Sequence, residues 1–234
     1  MELPQTVEEL AKRIDHTNIK PISSRDDILR TINEAIKYGF RGVCIPPIWV
    51  PLAKEKLHGK GILIVTIVGF PFGYNATEIK VAEAEWAAKM GANEIDMVMN
   101  LSAFKSKEYK VVTRDIEAVV NAVSPKPVKV IIETGYLSSE EIMQAAKIAV
   151  DAGASFVKTC TGFGPRGASI EDIKIIRKAI GDRAKVKAAG GIRDAETALM
   201  MLKAGADVIG ASSSVKILET FSSEVLQKVM KLEL

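Results

Sequence analysis

The sequence predicts an α/β fold in which eight parallel strands close into a (β/α)8 TIM barrel, with an extra helix at the N-terminus. Short runs rich in β-branched residues alternate with amphipathic helical stretches, which is typical of parallel strands joined by crossover helices. Successive strand–helix units resemble one another, and nothing marks a reversal of strand order, which favours a barrel over a doubly wound sheet. Because no Pro- or Ser-rich linker divides the chain, residues 1–234 are expected to form one domain.

We count eight candidate strands in the sequence. They cover residues 13–16, 42–45, 62–68, 94–99, 128–133, 156–159, 184–188 and 208–211.

The connecting segments carry helix start and stop signals. Thr6 with Glu9, and Ser138 with Glu141, match the capping box that satisfies free backbone donors at a helix start. The first pair predicts the N-terminal helix. Glycines that can take the left-handed conformation follow three other helical stretches, at Gly91, Gly153 and Gly205.

The composition is that of an ordinary globular protein, with 47% hydrophobic and 26% charged residues and a net charge of +3. Lysines alternate with glutamates along the chain, so we expect no nucleic-acid partner. No apolar run is long enough to cross a bilayer, and the start of the chain has no signal-like apolar core, so we expect a cytoplasmic protein without a membrane partner. Cys44 and Cys160 are expected to remain thiols, and His16 and His58 lack zinc-ligand spacing, so no metal site is predicted.

Two lysines end neighbouring predicted strands. Apolar side chains fill a barrel interior, so a charged residue at the carboxyl end of a strand is expected at the catalytic mouth. Lys158 ends the sixth strand and Lys187 lies near the end of the seventh. If both amines share one pocket, each like charge lowers the pKa of the other and favours a neutral, nucleophilic amine. The alternatives are a Lys158 whose stem covers apolar surface, and lysines that point to opposite sides of their strands.

Three carboxylates accompany these lysines. Asp96 lies between apolar neighbours in the fourth strand, where a buried carboxylate needs a cationic partner such as Lys158 or Lys187, or else loop amides. Asp15 offers a second acid at the end of the first strand, as a substrate-binding residue or a turn aspartate. Glu133 ends the fifth strand and is expected to bind substrate or to neutralise the lysines.

The turns after the last strands favour phosphate binding. Small residues allow backbone amides to approach an anion, and such sites follow the seventh and eighth strands of many barrels. Taken singly, a glycine pair is equally typical of an ordinary turn, and Arg193 of a solvated helix start. The candidate phosphate-binding residues are Gly162, Gly190, Gly191, Arg193, Ser212 and Ser213.

These segments together resemble the deoxyribose-phosphate aldolase family. The similarity extends from Ile14-Asp15-His16-Thr17 to Gly210-Ala211-Ser212-Ser213 and is most specific in Lys158-Thr159-Cys160-Thr161-Gly162-Phe163 and Lys187-Ala188-Ala189-Gly190-Gly191-Ile192-Arg193. The resemblance implies a lysine-dependent aldolase without cofactor or metal, which cleaves 2-deoxy-D-ribose 5-phosphate to D-glyceraldehyde 3-phosphate and acetaldehyde. It implies Lys158 as the Schiff-base residue and Asp96 and Lys187 in proton transfer. It also implies phosphate contacts from Gly162, Gly190, Gly191, Ser212 and Ser213, with Arg193 nearby.

Three positions depart from the family pattern. Cys160 replaces a common serine, and Phe163 replaces a lysine that some relatives carry near the phosphate, which shifts phosphate affinity toward backbone amides. The chain ends in Lys231-Leu232-Glu233-Leu234, without the terminal tyrosine of some bacterial relatives.

Two other functions fit the same residues. One is another lysine-dependent barrel aldolase that acts on a ketose phosphate, and the other is a noncatalytic phosphosugar binder. Because barrel surfaces often support self-association, a homo-oligomer, either dimer or tetramer, is expected.

Overall fold

Eight parallel strands form one closed barrel in the computed structural model, which describes residues 2–232. Each strand is hydrogen-bonded to its neighbours in chain order, and the first strand closes the barrel against the last. The strands are β1 Ile14–Thr17, β2 Gly42–Ile45, β3 Leu63–Val68, β4 Glu94–Val98, β5 Val128–Ile131, β6 Phe156–Lys158, β7 Lys185–Ala189 and β8 Val208–Ala211. The predicted fold class is confirmed, and every predicted strand overlaps its observed counterpart.

Helices surround the barrel and bury one face against it. They are α1 Val7–Ala11, α2 Arg25–Tyr38, α3 Val50–Leu57, α4 Thr77–Met90, α5 Leu101–Lys105, α6 Tyr109–Val123, α7 Ser139–Asp151, α8 Ile170–Ile180, α9 Ala195–Lys203, α10 Ser214–Glu219 and α11 Ser223–Lys231. Short 3-10 turns lie at Pro47–Trp49 and Thr134–Tyr136. The main apolar core lies between the strands and this outer layer.

Most of the predicted helix start and stop signals are present in the structure. Ser138 and Glu141 form the reciprocal capping box at the start of α7. Thr6 caps α1 by accepting from the Glu9 amide, but the Glu9 carboxylate accepts from the backbone of Gln5, so the second half of the predicted box is absent. The three predicted helix-ending glycines all have positive φ: Gly91, Gly153 and Gly205.

The largest boundary error is at β5, which was expected to continue through Glu133 but ends at Ile131. Glu133 has φ 52°, in the left-handed region that interrupts a strand. Among residues 2–232, no helix combines the length and apolar character needed to cross a membrane. The C-terminal sequence was noted above for its departure from the family pattern, and its residues 233 and 234 lie outside the described residues.

Candidate active site

Lys158 and Lys187 lie side by side inside the barrel. They are cross-strand partners in the register of β6 and β7, so their side chains project from the same face of the sheet. Both donate to one oxygen, Asp96 Oδ2, at Nζ–O distances of 2.8 and 2.9 Å. Their side chains are only 3% and 0% exposed. The alternative in which the two amines point to opposite sides of the barrel wall is therefore wrong.

Asp96 is shared by three lysines. It lies opposite Lys129 in the register of β4 and β5, and Lys129 Nζ donates to Asp96 Oδ1 at 2.8 Å. Burial by itself raises the pKa of the Asp96 carboxyl, but the ammonium groups of Lys129, Lys158 and Lys187 outweigh it and hold that pKa well below its usual range. Asp96 is therefore ionised and satisfied by lysines, not by loop amides.

A cavity with a volume of about 260 Å³ opens at the carboxyl ends of the strands. Lys158 lines it, whereas Lys187 and Asp96 lie behind Lys158 and are fully buried. The Lys158 amine is thus the part of this lysine–carboxylate group that a bound molecule reaches first.

Lys187 is held by a second carboxylate as well. Its Nζ donates to Asp15 Oδ2 at 2.7 Å in addition to Asp96. Burial lowers the pKa of Lys187, but Asp15 and Asp96 raise it above its ordinary value. The expectation that two neighbouring lysines lower each other's pKa is therefore wrong for Lys187, because its amine contacts two carboxylates.

Asp15 does not occupy the substrate-contacting position expected for it. Its side chain is 0% exposed, and it is absent from the described residues that line the cavity. Burial raises its pKa, but Lys187 and Arg41 outweigh that effect and lower the pKa to about 2. Asp15 therefore holds Lys187 and Arg41 in place through ion pairs and does not itself line the cavity.

Sequence reasoning missed three further charged residues in the same network: Arg41, Glu94 and Lys129. Arg41 bridges Asp15 and Glu94 at 2.6 and 2.5 Å, and Lys129 bridges Glu94 and Asp96 at 2.7 and 2.8 Å. Lys129 carried a usable signal, since a lysine between two valines in a buried strand requires a partner. We name these interior side chains the barrel charge cluster; its members are Asp15, Arg41, Glu94, Asp96, Lys129, Lys158 and Lys187.

The candidate phosphate-binding residues converge at one end of the cavity. Gly162, Gly190, Gly191, Arg193, Ser212 and Ser213 all line the same cavity as Lys158. Gly190 has φ +99°, and a Cβ atom there would lie 3.2 Å from the side chain of Cys160 and from the backbone of Gly167. A residue with a side chain would therefore widen this turn. Asn18 and Lys20, which sequence reasoning did not single out, also line the cavity and add a cation to this end.

Glu133 does not pair with the lysines. Its Oε2 accepts from the Thr161 amide at 3.0 Å and from the Thr161 hydroxyl. Among residues 2–232, no cationic side chain lies within ion-pair distance of Glu133. The expectation that it neutralises the pocket is therefore wrong, because its carboxylate turns toward the loop after β6.

Both cysteines are buried thiols, as expected. Burial raises the pKa of Cys160 to about 11 and also raises the pKa of Cys44. The described residues contain no cluster of three or more His, Cys, Asp or Glu side chains arranged to hold a metal ion.

Comparison with known proteins identifies relatives over almost the whole chain. A model of the DeoC/LacD family of aldolases matches residues 10–220. A deoxyribose-phosphate aldolase from Aciduliprofundum boonei is 54% identical over 214 residues, which are 91% of this chain and 96% of the relative. The corresponding aldolase from Thermococcus gammatolerans is 51% identical over 215 residues, covering 90% of this chain and 96% of the relative.

A solved structure is also similar to this chain. It is described as the unique tetrameric structure of deoxyribose phosphate aldolase from Aeropyrum pernix, and it matches with a TM-score of 0.88 and 32% identity, covering 94% of each chain. The resemblance inferred from the sequence motifs is confirmed by these matches. The protein is an aldolase, and the chain belongs to the DeoC/LacD family.

Proposed function

We propose that the protein catalyses the reversible cleavage of 2-deoxy-D-ribose 5-phosphate to D-glyceraldehyde 3-phosphate and acetaldehyde, through a Schiff base on Lys158. The observation that carries the proposal is the position of Lys158, whose amine belongs to the barrel charge cluster and also lines the cavity. The family supports an aldol cleavage, and its named relatives support this substrate.

The charge balance of the cluster favours a reactive amine. Four cationic side chains face three carboxylates, so the fully ionised cluster carries one excess positive charge in a buried region. Loss of one proton balances the cluster, and isolated buried charge is costly. Lys187 is held protonated by two carboxylates. Lys158 has one carboxylate partner and faces the cavity, so its amine is the one placed to attack a bound carbonyl group.

The reaction then follows from iminium chemistry. Lys158 Nζ attacks C1 of the open-chain sugar, and loss of water gives a protonated imine that accepts electrons. Removal of the C3 hydroxyl proton breaks the C2–C3 bond, which releases glyceraldehyde 3-phosphate and leaves an enamine. Protonation of the enamine at C2 and hydrolysis of the imine release acetaldehyde and restore Lys158.

Asp96 and Lys187 are placed to move these protons with a water molecule from the cavity. Asp96 Oδ2 contacts both amines, so it connects Lys158 to the Lys187 ammonium through two hydrogen bonds. Lys187 in its ammonium form then serves as an acid, and after giving up its proton it serves as a base. Asp15 keeps Lys187 in this position during the cycle.

The phosphate is expected at the glycine- and serine-lined end of the cavity. Gly162, Gly190 and Gly191 have φ of +88°, +99° and +78°, conformations that side chains disfavour and that turn backbone amides into nests for anions. Ser213 is the N-cap residue of α10, where backbone donors add to the attraction. Arg193 and Lys20 supply positive charge.

We also propose an oligomeric state, a cellular location and a metabolic role for the protein. The Aeropyrum pernix protein is described as tetrameric, which supports a dimer or tetramer for this chain. A cytoplasmic enzyme of deoxyribose phosphate catabolism fits the substrate and the reduced cysteines.

Borohydride trapping tests the proposed function. The protein is incubated with the deoxyribose phosphate and then with borohydride, and the modified peptide is located by mass spectrometry. We expect an ethyl adduct on Lys158 alone, none in Lys158→Met, and an unchanged adduct in Lys185→Met, which removes an exposed lysine at the start of β7. An adduct on another lysine would refute the assignment, and binding of the sugar without adduct or turnover would favour a noncatalytic binder.

A further inference from the structure

Glu133 has a backbone conformation that its side chain disfavours. It follows β5 and has φ 52°, and Lys107 is the only other non-glycine with positive φ among residues 2–232. The left-handed region is unfavourable for residues with a Cβ atom, so contacts with the surrounding structure must hold Glu133 there. The side chain is also buried, with 2% of the residue exposed.

The hydrogen bonds of the Glu133 carboxylate lead to the loop after β6. Glu133 Oε2 accepts from the amide and the hydroxyl of Thr161, and Thr161 Oγ1 in turn accepts from the Phe163 amide at 3.0 Å. Gly164 packs against the other carboxylate oxygen so closely that a Cβ atom at position 164 would lie 2.7 Å from Oε1. Residues 161–164 of this loop therefore pack around the Glu133 carboxylate.

Gly162 occupies the middle of this loop and lines the cavity together with Thr161 and Phe163. It has φ +88°, and an ideal Cβ atom at this position would meet nothing within 4 Å, so the side of Gly162 on which a side chain would lie is open. The hydrogen bonds that flank it, from Thr161 to Glu133 and from Phe163 to Thr161, constrain its backbone.

We propose that Glu133 is a positioning residue for phosphate recognition, which acts through Thr161 to orient the backbone of Gly162 toward the phosphate end of the cavity. The inference rests on the proposed function, because it assigns Glu133 to the phosphate of that substrate. It predicts that replacing Glu133 lowers kcat/KM for the phosphorylated sugar and has much less effect on kcat/KM for the unphosphorylated sugar.

The test compares 2-deoxy-D-ribose 5-phosphate with unphosphorylated 2-deoxy-D-ribose. For each protein we take the ratio of the two kcat/KM values, which isolates what the phosphate contributes. Glu133→Met removes the acceptor at similar size. Gly164→Ala disturbs the same carboxylate from the other side, without a backbone penalty, because Gly164 is outside the positive-φ region. Glu171→Met is the control, since Glu171 is exposed on α8.

We expect the ratio to fall about tenfold or more in Glu133→Met and in Gly164→Ala, the scale of a lost hydrogen bond to a charged group, mainly through KM for the phosphorylated sugar. Glu133→Gln retains an acceptor oxygen and should recover part of the ratio. If Glu133→Met does not fold, Gly164→Ala carries the test. An unchanged ratio in a folded variant, or a glutamine variant no better than methionine, would overturn the positioning role.

The unmodified protein separates this inference from the proposed function. If it neither cleaves the phosphorylated sugar nor forms an adduct on Lys158, the proposed function fails. If it does both and the variants keep its phosphate preference, only the role of Glu133 fails.

Discussion

Replacing Asp96 by asparagine tests how strongly the barrel charge cluster depends on its central carboxylate. Asp96 is 0% exposed and bonds to Lys129, Lys158 and Lys187 at 2.8, 2.8 and 2.9 Å. Asp96→Asn preserves the shape of the side chain but removes its charge, leaving two carboxylates to balance the four basic side chains of the cluster. The substitution therefore changes electrostatics while disturbing packing little.

The expected cost follows from burial. Removing one partner of a buried ion pair costs about 3–5 kcal/mol, because an uncompensated charge remains in a region of low dielectric. The remaining amide oxygen still accepts hydrogen bonds, so the three contacts are not lost in full. We expect Asp96→Asn to lower the free energy of unfolding by about 3–5 kcal/mol, a large part of the roughly 5–15 kcal/mol of a typical protein.

Urea unfolding at pH 7 measures this cost. The matched control is Asp151→Asn, which removes a carboxylate 2.6 Å from Arg183 in a pair whose side chains are 62% and 50% exposed. Solvent screens that pair, so its loss should cost about 1 kcal/mol or less. Equal losses in the two variants, or a loss below about 1 kcal/mol in Asp96→Asn, would refute the view that this carboxylate balances the interior charge.

Three further outcomes are expected. Lys187→Met should slow cleavage by about 100-fold or more, the scale of a lost acid–base group, measured as kcat; a decrease below about tenfold would exclude Lys187 from proton transfer. The pKa of Asp15 is lowered to about 2, so its ionisation stabilises the fold above about pH 4 and this contribution is lost as the pH falls toward 2. In Asp15→Asn, the free energy of unfolding should therefore fall less steeply with acidification over that range. An unchanged slope would contradict the ion pairs of Asp15 with Lys187 and Arg41. Cys44 and Cys160 are both 0% exposed, and burial raises both thiol pKa values. Mass spectrometry should therefore find neither cysteine modified by iodoacetamide at pH 8 until urea unfolds the protein. Rapid modification of the folded protein would contradict this burial.

Local patterns in the sequence determined the architecture. Strand composition, capping residues and helix-ending glycines act over a few neighbouring residues, so they can be read without coordinates. The predicted strands 42–45 and 208–211 coincide with β2 and β8. The position of Lys158 at a strand end was equally readable, because the carboxyl ends of barrel strands meet at one face.

The tertiary structure alone decided the electrostatics of the site. Asp15 and Lys187 are 172 residues apart in sequence yet form a 2.7 Å ion pair. Lys129 joins the cluster from a strand in which sequence reasoning singled out only Glu133. A pKa depends on distances between charges and on their burial, and both are fixed only when the barrel closes. Composition can show that lysines and carboxylates are present, but it cannot show which of them meet; for that reason the raised pKa of Lys187 was not foreseen.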